Sequence, residues 1–241
     1  MNLCLDFGNS LQKYAVFESA EIIARKTKKK ISINDLQEVY QTFSIRRTIL
    51  ASVIDTPHEI LSFLEQQPNF KLLSSKLKLP LKIAVDYPEK VGSDLLAAAT
   101  GAWSMKPDAP CLIIQAGTCI THQWVQNGVY EGGSISPGVA MRFKALSNFT
   151  AKLPEISKQP VEQITGKNTE QAILSGVIYG VAAEINALIQ YYKNLDVNTL
   201  CFICGGDAIF LENYINFPIF ANSNLVFKGL NYILNYQFEN S

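Results

Sequence analysis

Two short stretches share one design. LCLDFGNSLQKYAVF, residues 3–17, and CLIIQAGTCITHQW, residues 111–124, are each an apolar run that stops at a glycine and turns back as a second run. The first ends on Asp6-Phe7-Gly8-Asn9-Ser10, the second on Gln115-Ala116-Gly117-Thr118. A hairpin tip without a bulky Cβ lets backbone N–H groups approach an anion, and a neighbouring hydroxyl donates one bond more. Lys13 adds a cation beside the first tip. Each tip alone is an ordinary hairpin, but the pair reads as a grip on a polyphosphate. No GxxxxGK[ST] is present and no GxGxxG follows a strand, so the usual phosphate loops are excluded.

Three further stretches carry chemistry. In DYPEKVGSDLLAAATGAW, residues 86–103, Gly92 and Ser93 lead into a helix with Asp94 in its first turn. The helix dipole favours an ionised carboxylate there. Gly132-Gly133 and Pro137-Gly138 bracket a strand and open a helix. Gly205-Gly206 follows a strand, where exposed backbone can lie against a flat purine ring.

The elements that must hold these residues follow from periodicity. The first half predicts strands at 2–7, 11–18, 21–26, 46–53 and 81–86, with helices at 33–43, 57–67 and 93–104. The second predicts strands at 111–115, 119–126, 129–135 and 199–203, with helices at 137–147, 169–193, 206–214 and 226–237. Both halves open with three short strands and then alternate helix and strand, which indicates a duplication. The expected domains are 1–106 and 107–241, two similar lobes facing one another across a cleft. The break falls near Ser104–Pro110.

Composition excludes several roles. Lys plus Arg number 21 and Asp plus Glu 21, so no net field draws the chain to nucleic acid or an anionic membrane. The basic run RKTKKK at 25–30 reads as a solvated strand edge. The apolar stretch 172–189 contains Glu184 and Asn186 and reads as a buried helix. Five cysteines, with no basic n-region before an apolar run at the N-terminus, indicate a reducing cytoplasm. Cys201 and Cys204 lie three apart in a strand, so their sulfurs diverge, and His58 and His122 lack zinc-site spacing.

Taken in order, these stretches resemble the type III pantothenate kinases of the actin-like ATPase (ribonuclease H-like) superfamily. The resemblance rests on Asp6-x-Gly8-Asn9-Ser10, Tyr87-Pro88-x-x-x-Gly92-x-Asp94, Gly117-Thr118-x-x-Thr121, Gly132-Gly133-x-Ile135-x-Pro137-Gly138 and Gly205-Gly206-Asp207-Ala208. It implies an α/β fold of two duplicated lobes and ATP-dependent phosphorylation of pantothenate, in a cytoplasmic homodimer. It implies ATP contacts from Asp6, Phe7, Gly8, Asn9, Ser10, Leu11, Gln12 and Lys13, and from Thr118. Asp94 is the implied general base, with Tyr87, Gly92, Ser93, Leu95 and Thr169 around pantothenate. ATP with Mg2+ is the implied cofactor, together with a monovalent cation, K+ or NH4+.

Three positions depart from that family's pattern. Gln115 stands where an Asp helps to hold the monovalent cation, Gln123 where another acidic residue is usual, and Leu95 where an Arg follows the catalytic Asp. Arg142 and Lys152 are the candidates for the missing substrate cation, and dependence on potassium is expected to be altered or lost. The departures keep two other readings open. One is a catalytically weak or inactive dimeric scaffold that binds nucleotide, the other a kinase of a different small alcohol.

Overall fold

The computed structural model describes residues 1–239. Its strands are β1 (Asn2–Phe7), β2 (Gln12–Glu18), β3 (Glu21–Lys28), β4 (Arg47–Ser52), β5 (Phe70–Leu72), β6 (Lys82–Ile83), β7 (Cys111–Ala116), β8 (Cys119–Gln126), β9 (Val129–Pro137), β10 (Leu200–Cys204) and β11 (Phe220–Ala221). Its helices are α1 (Ile33–Thr42), α2 (His58–Glu65), α3 (Ser93–Met105), α4 (Val139–Asn148), α5 (Thr169–Leu195), α6 (Ala208–Glu212) and α7 (Leu225–Glu239).

The two sheets repeat one order. The first runs β3-β2-β1-β4-β5. The second runs β9-β8-β7-β10-β11, with β6 added outside β9. In the first, β1, β2 and β3 are antiparallel neighbours, while β4 and β5 continue parallel to β1. In the second, β10 and β11 likewise continue parallel to β7. Two copies of this arrangement in one chain are the duplication expected from the paired openings.

The compact units, however, are interleaved. One comprises Met1–Asp108, Val125–Gly132 and the chain from Asn224 onward; the other comprises Ala109–Trp124 and Gly133–Ser223. The expected cut at 106/107 is a single linear division, whereas α7 groups with the N-terminal sheet.

In the first unit, alternation along β1 decides what each face meets. Leu3, Leu5 and Phe7 pack with Leu36, Val39 and Ile60 of α1 and α2. Cys4 packs on the opposite face, with Ala97 of α3 and Leu230 and Ile233 of α7. Asp6 shares parity with Cys4, so the pleat turns its carboxylate toward the face that α3 and α7 cover. The run RKTKKK falls on edge strand β3 and the turn after it. Lys26 and Lys28 reach Oδ1 of Asp35 at 3.0 and 2.7 Å. Asp35 in turn completes a capping box with Ser32 at the start of α1, so the basic edge is tied to a helix N-terminus.

Helices α3 and α7 cross at two glycines. A Cβ on Gly229 would lie 1.8 Å from the Ala97 carbonyl oxygen, and one on Gly101 would lie 2.4 Å from that of Leu225. Only glycine permits this approach. Gly229→Ala is expected to cost about 3 kcal/mol, the upper range for overpacking, and to lower the melting temperature by roughly 6–12 °C. An unchanged midpoint in a calorimetric scan contradicts the close crossing.

In the second unit, α5 is the central helix. Asn168 caps it, accepting from the Gln171 N–H at 2.9 Å. Ile178, Val181, Ile185 and Ile189 recur at helical spacing and pack with Leu112, Ile114 and Ile203 of the sheet. Among the described residues, α5 is the one helix long and apolar enough by length and composition to cross a membrane, and half of that stretch is buried inside the protein.

The strand expected at 81–86 shrinks to Lys82–Ile83. One more ladder bond forms, from the Ala84 N–H to the Tyr130 carbonyl, before the chain turns at Pro88 into a short 3-10 helix. Proline biases the residue before it away from helical geometry and carries no N–H for a ladder. β5 and β11, of three and two residues, are too short to leave a readable alternation.

Candidate active site

The first unit gathers the carboxylates. Asp6 and Lys13 are direct cross-strand partners on β1 and β2, and Lys13 Nζ lies 3.5 Å from Asp6 Oδ2. Between them Gly8 donates its N–H to the Leu11 carbonyl at 3.1 Å, closing the tip. Asn9, Ser10 and Leu11 project from it, exposed. Phe7 faces the core, and Gln12 is buried with its Oε1 accepting from the Ile31 N–H at 2.6 Å. The tip thus stands on two inward anchors.

Asp94 occupies the second position of α3, after the N-cap Gly92 and Ser93. Ser93 Oγ donates to the Ser52 carbonyl at the end of β4, 3.1 Å away, which fixes the helix start against the sheet. A Cβ on Gly92 would sit 2.7 Å from Asp94 Oδ1, so glycine makes room for the carboxylate to fold back over its own helix N-terminus. Burial, and next the charge of Asp6, push the Asp94 carboxyl up to about 6. The backbone N–H groups of Leu95 and Asp94 and the charge of Lys13 pull the other way and lose. The helix N-terminus does favour the ionised form, but desolvation and a like charge outweigh it and leave the group above the usual carboxylate range. Burial also raises Asp6, against the pull of Lys13.

Tyr130, which the sequence did not single out, is 3% exposed and feels the Asp94 charge. Burial first, then that charge, pushes its phenol up to about 12. It sits in the strand of the GVYEGG run, whose glycines alone attract notice. Tyr87 is 60% exposed, with Lys90 Nζ 4.3 Å from its ring centroid. The Leu95 side chain carries no donor beside Asp94.

The second unit gathers glycine-rich backbone. Exposed Thr118 tips the β7–β8 hairpin, and its carbonyl accepts the Gly138 N–H at 3.1 Å. A Cβ on Gly138 would meet the Gly117 oxygen at 2.2 Å, so the start of α4 lies directly on the tip. Gly205, at φ +100°, leaves as little room: a Cβ there would fall 2.2 Å from the Ala116 oxygen. The Asp207 N–H donates to that same oxygen at 3.0 Å. Three turns widely separated in sequence therefore meet at the end of β7. Thr169 stands elsewhere in this unit, in an apolar groove of about 810 Å³ between α4 and α5.

Gln115, at the implied monovalent-cation position, lacks the negative charge of the usual Asp. Gln115 Nε2 is a buried donor without a partner, and Gln123 Oε1 is a buried acceptor without one. Gln123 Nε2 is spent on Thr121 Oγ1 at 2.7 Å. Neither amide carries the charge that holds a cation against desolvation. Arg142 is likewise committed: its Nη2 pairs with Glu184, and its Nε donates to the Pro137 carbonyl at 2.8 Å. It is therefore not a free substitute for the missing substrate cation.

The duplicated sheet order defines an actin-like ATPase fold, and solved structures of that class match it over the whole chain. Component A of (R)-2-hydroxyglutaryl-CoA dehydratase from Acidaminococcus fermentans superimposes with a TM-score of 0.55 at 13% identity, covering 99% of this chain and 98% of that one. The family model for type III pantothenate kinase matches residues 2–191. The type III pantothenate kinases of Phocaeicola vulgatus and of Bacteroides fragilis strain YCH46 are each 38% identical over 238 residues, covering 98% of both chains. The chain belongs to the type III pantothenate kinase family.

Proposed function

We propose that this protein transfers the γ-phosphoryl group of ATP to the primary hydroxyl of pantothenate, the opening step of coenzyme A synthesis, with Asp94 as general base. The observation that carries this reading is a carboxylate at the head of a helix, raised to about 6 by burial and by Asp6, beside a lysine-paired hairpin tip. A base with that affinity is mostly ionised at neutral pH, yet basic enough to accept a proton as the alcohol reacts. As the alcohol oxygen bonds to the γ-phosphorus, its proton passes to Asp94 and the bond to the ADP oxygen breaks.

The Asp6–Lys13 tip and Thr118 then contact ATP, and Tyr87, Gly92, Ser93 and Leu95 surround pantothenate. The triphosphate and its bound waters would hold magnesium, which would offset phosphate charge during transfer. In this reading the enzyme works in the cytoplasm.

The deciding experiment is a coupled ADP-release assay with pantothenate and a panel of small alcohols, with and without potassium. Turnover with pantothenate above every other alcohol is expected. Preference for another alcohol overturns the acceptor, and no turnover with any of them leaves the nucleotide-binding scaffold.

The same reading includes a homodimer. Phe149, at the end of α4, is 88% exposed on the rim of the α4–α5 groove, and Gly176 on the α5 side has nothing near its Cβ position. An exposed ring beside an apolar groove on one chain suits an isologous contact. Phe149→Glu is expected to halve the mass seen by light scattering; a dimer that persists places the contact elsewhere.

A further inference from the structure

Residues 149–168, between α4 and α5, contain neither helix nor strand. Connections beyond roughly 12–15 residues are uncommon inside compact domains and tend to be functional. This one is tied down at several points. Ile156 is buried in the core of the second unit. The Val161 N–H donates to Tyr214 Oη at 2.9 Å, and Ser175 Oγ donates to the Ile164 carbonyl. Between these ties the strap passes α6, where Lys158 pairs with Asp207 and its Nζ lies 4.9 Å from the Phe210 ring centroid.

That lysine lands on an informative place. Asp207 follows the Gly205–Gly206 turn and hydrogen-bonds to Ala116 at the foot of the Gly117–Thr118 tip. The tip carries no charge of its own, since Gln115, Thr118 and Gln123 are all neutral. The Lys158 side chain remains 33% exposed, so its ammonium is held at the turn without being sealed there. A lysine is a point charge with three rotatable donors on a flexible stem. One carboxylate does not exhaust it.

Resting on the nucleotide reading of the Thr118 tip, we propose that Lys158 is a nucleotide-binding residue, which Asp207 holds in reserve and which turns to the phosphate chain when ATP binds. Asp207 and the phosphates then compete for one ammonium, and the competition fixes the signs of two substitutions. Removing the ammonium weakens nucleotide binding. Removing the competing carboxylate strengthens it. A pair that only fastens the strap predicts that both substitutions act alike.

The test is isothermal titration of the full chain with the magnesium complex of a non-hydrolysable ATP analogue, and separately with adenosine. Lys158→Met is expected to weaken the analogue roughly three- to tenfold, less than a fully desolvated charged bond because the side chain is partly exposed. Adenosine affinity is expected to stay the same. Lys158→Arg should restore most of the loss, and Asp207→Asn should tighten the analogue. Losses of similar size in Lys158→Met and Asp207→Asn, no change in Lys158→Met, or an equal loss for adenosine each overturn the proposal. A wild-type chain that binds neither ligand overturns the nucleotide reading itself, and this proposal with it.

Discussion

Asp94→Asn is expected to lower kcat by roughly 10²–10⁴-fold, the usual contribution of a positioned general base, while ATP binding stays near wild type. Asparagine keeps the shape of the side chain at the helix start and removes only its ability to take a proton. The wild-type rate should also fall with acidity. As the proposed base Asp94 must be ionised, and its carboxyl is pushed up to about 6, so kcat is expected to decline as pH drops through about 6. Asp6 is one cause of that elevation. Asp6→Asn removes a like charge, favours the ionised form of Asp94 and should move the acid limb to lower pH. A kcat–pH profile of the two proteins checks this. Unchanged turnover in Asp94→Asn removes Asp94 as the base, and an acid limb unmoved in Asp6→Asn removes the coupling.

The second large effect is a gain of ion dependence in Gln115→Asp. The wild-type amide is neutral and turns an unpartnered donor into the protein interior. A carboxylate in its place becomes a buried charge needing a counter-ion, which a monovalent cation supplies. Without potassium the variant should lose roughly ten- to a hundredfold in activity, equivalent to one charged hydrogen bond of about 1.5–3 kcal/mol. Added potassium should restore it. Wild type should give a flat titration with potassium and with ammonium. A wild-type rate that climbs with potassium shows that oxygens other than a residue-115 carboxylate hold the ion.

The residues proposed to carry chemistry are legible because each sits at a strand end or helix start, where one glycine or proline betrays the geometry. Asp6, Gly8, Gly92 and Asp94 all announce themselves in this way. What stayed hidden depends on long-range packing. Tyr130 is one more aromatic in a strand, and only the fold brings its phenol into range of Asp94. The pairing of Lys158 with Asp207 joins residues 49 apart through a segment without periodicity. The elevation of Asp94 is hidden for the same reason. A helix terminus is visible in the letters; the burial and the neighbouring carboxylate that outweigh it are not. The interleaving of the units is hidden as well, since nothing local in LVFKGLNYILNYQF, residues 225–238, says which sheet it covers.

That last helix sets an order of events during synthesis. The face of β1 that carries Cys4 and Asp6 has α7 among its covers, and α3 reaches its seat only through the glycine crossing with Gly229. A ribosome that has released the whole of Ala109–Ser223 has all of the second unit in hand, while the half bearing Asp94 still waits for its closing piece. Nascent chains halted before residue 225 should therefore expose an unfinished apolar surface to chaperones and proteases, and the enzyme should ripen from its middle outward.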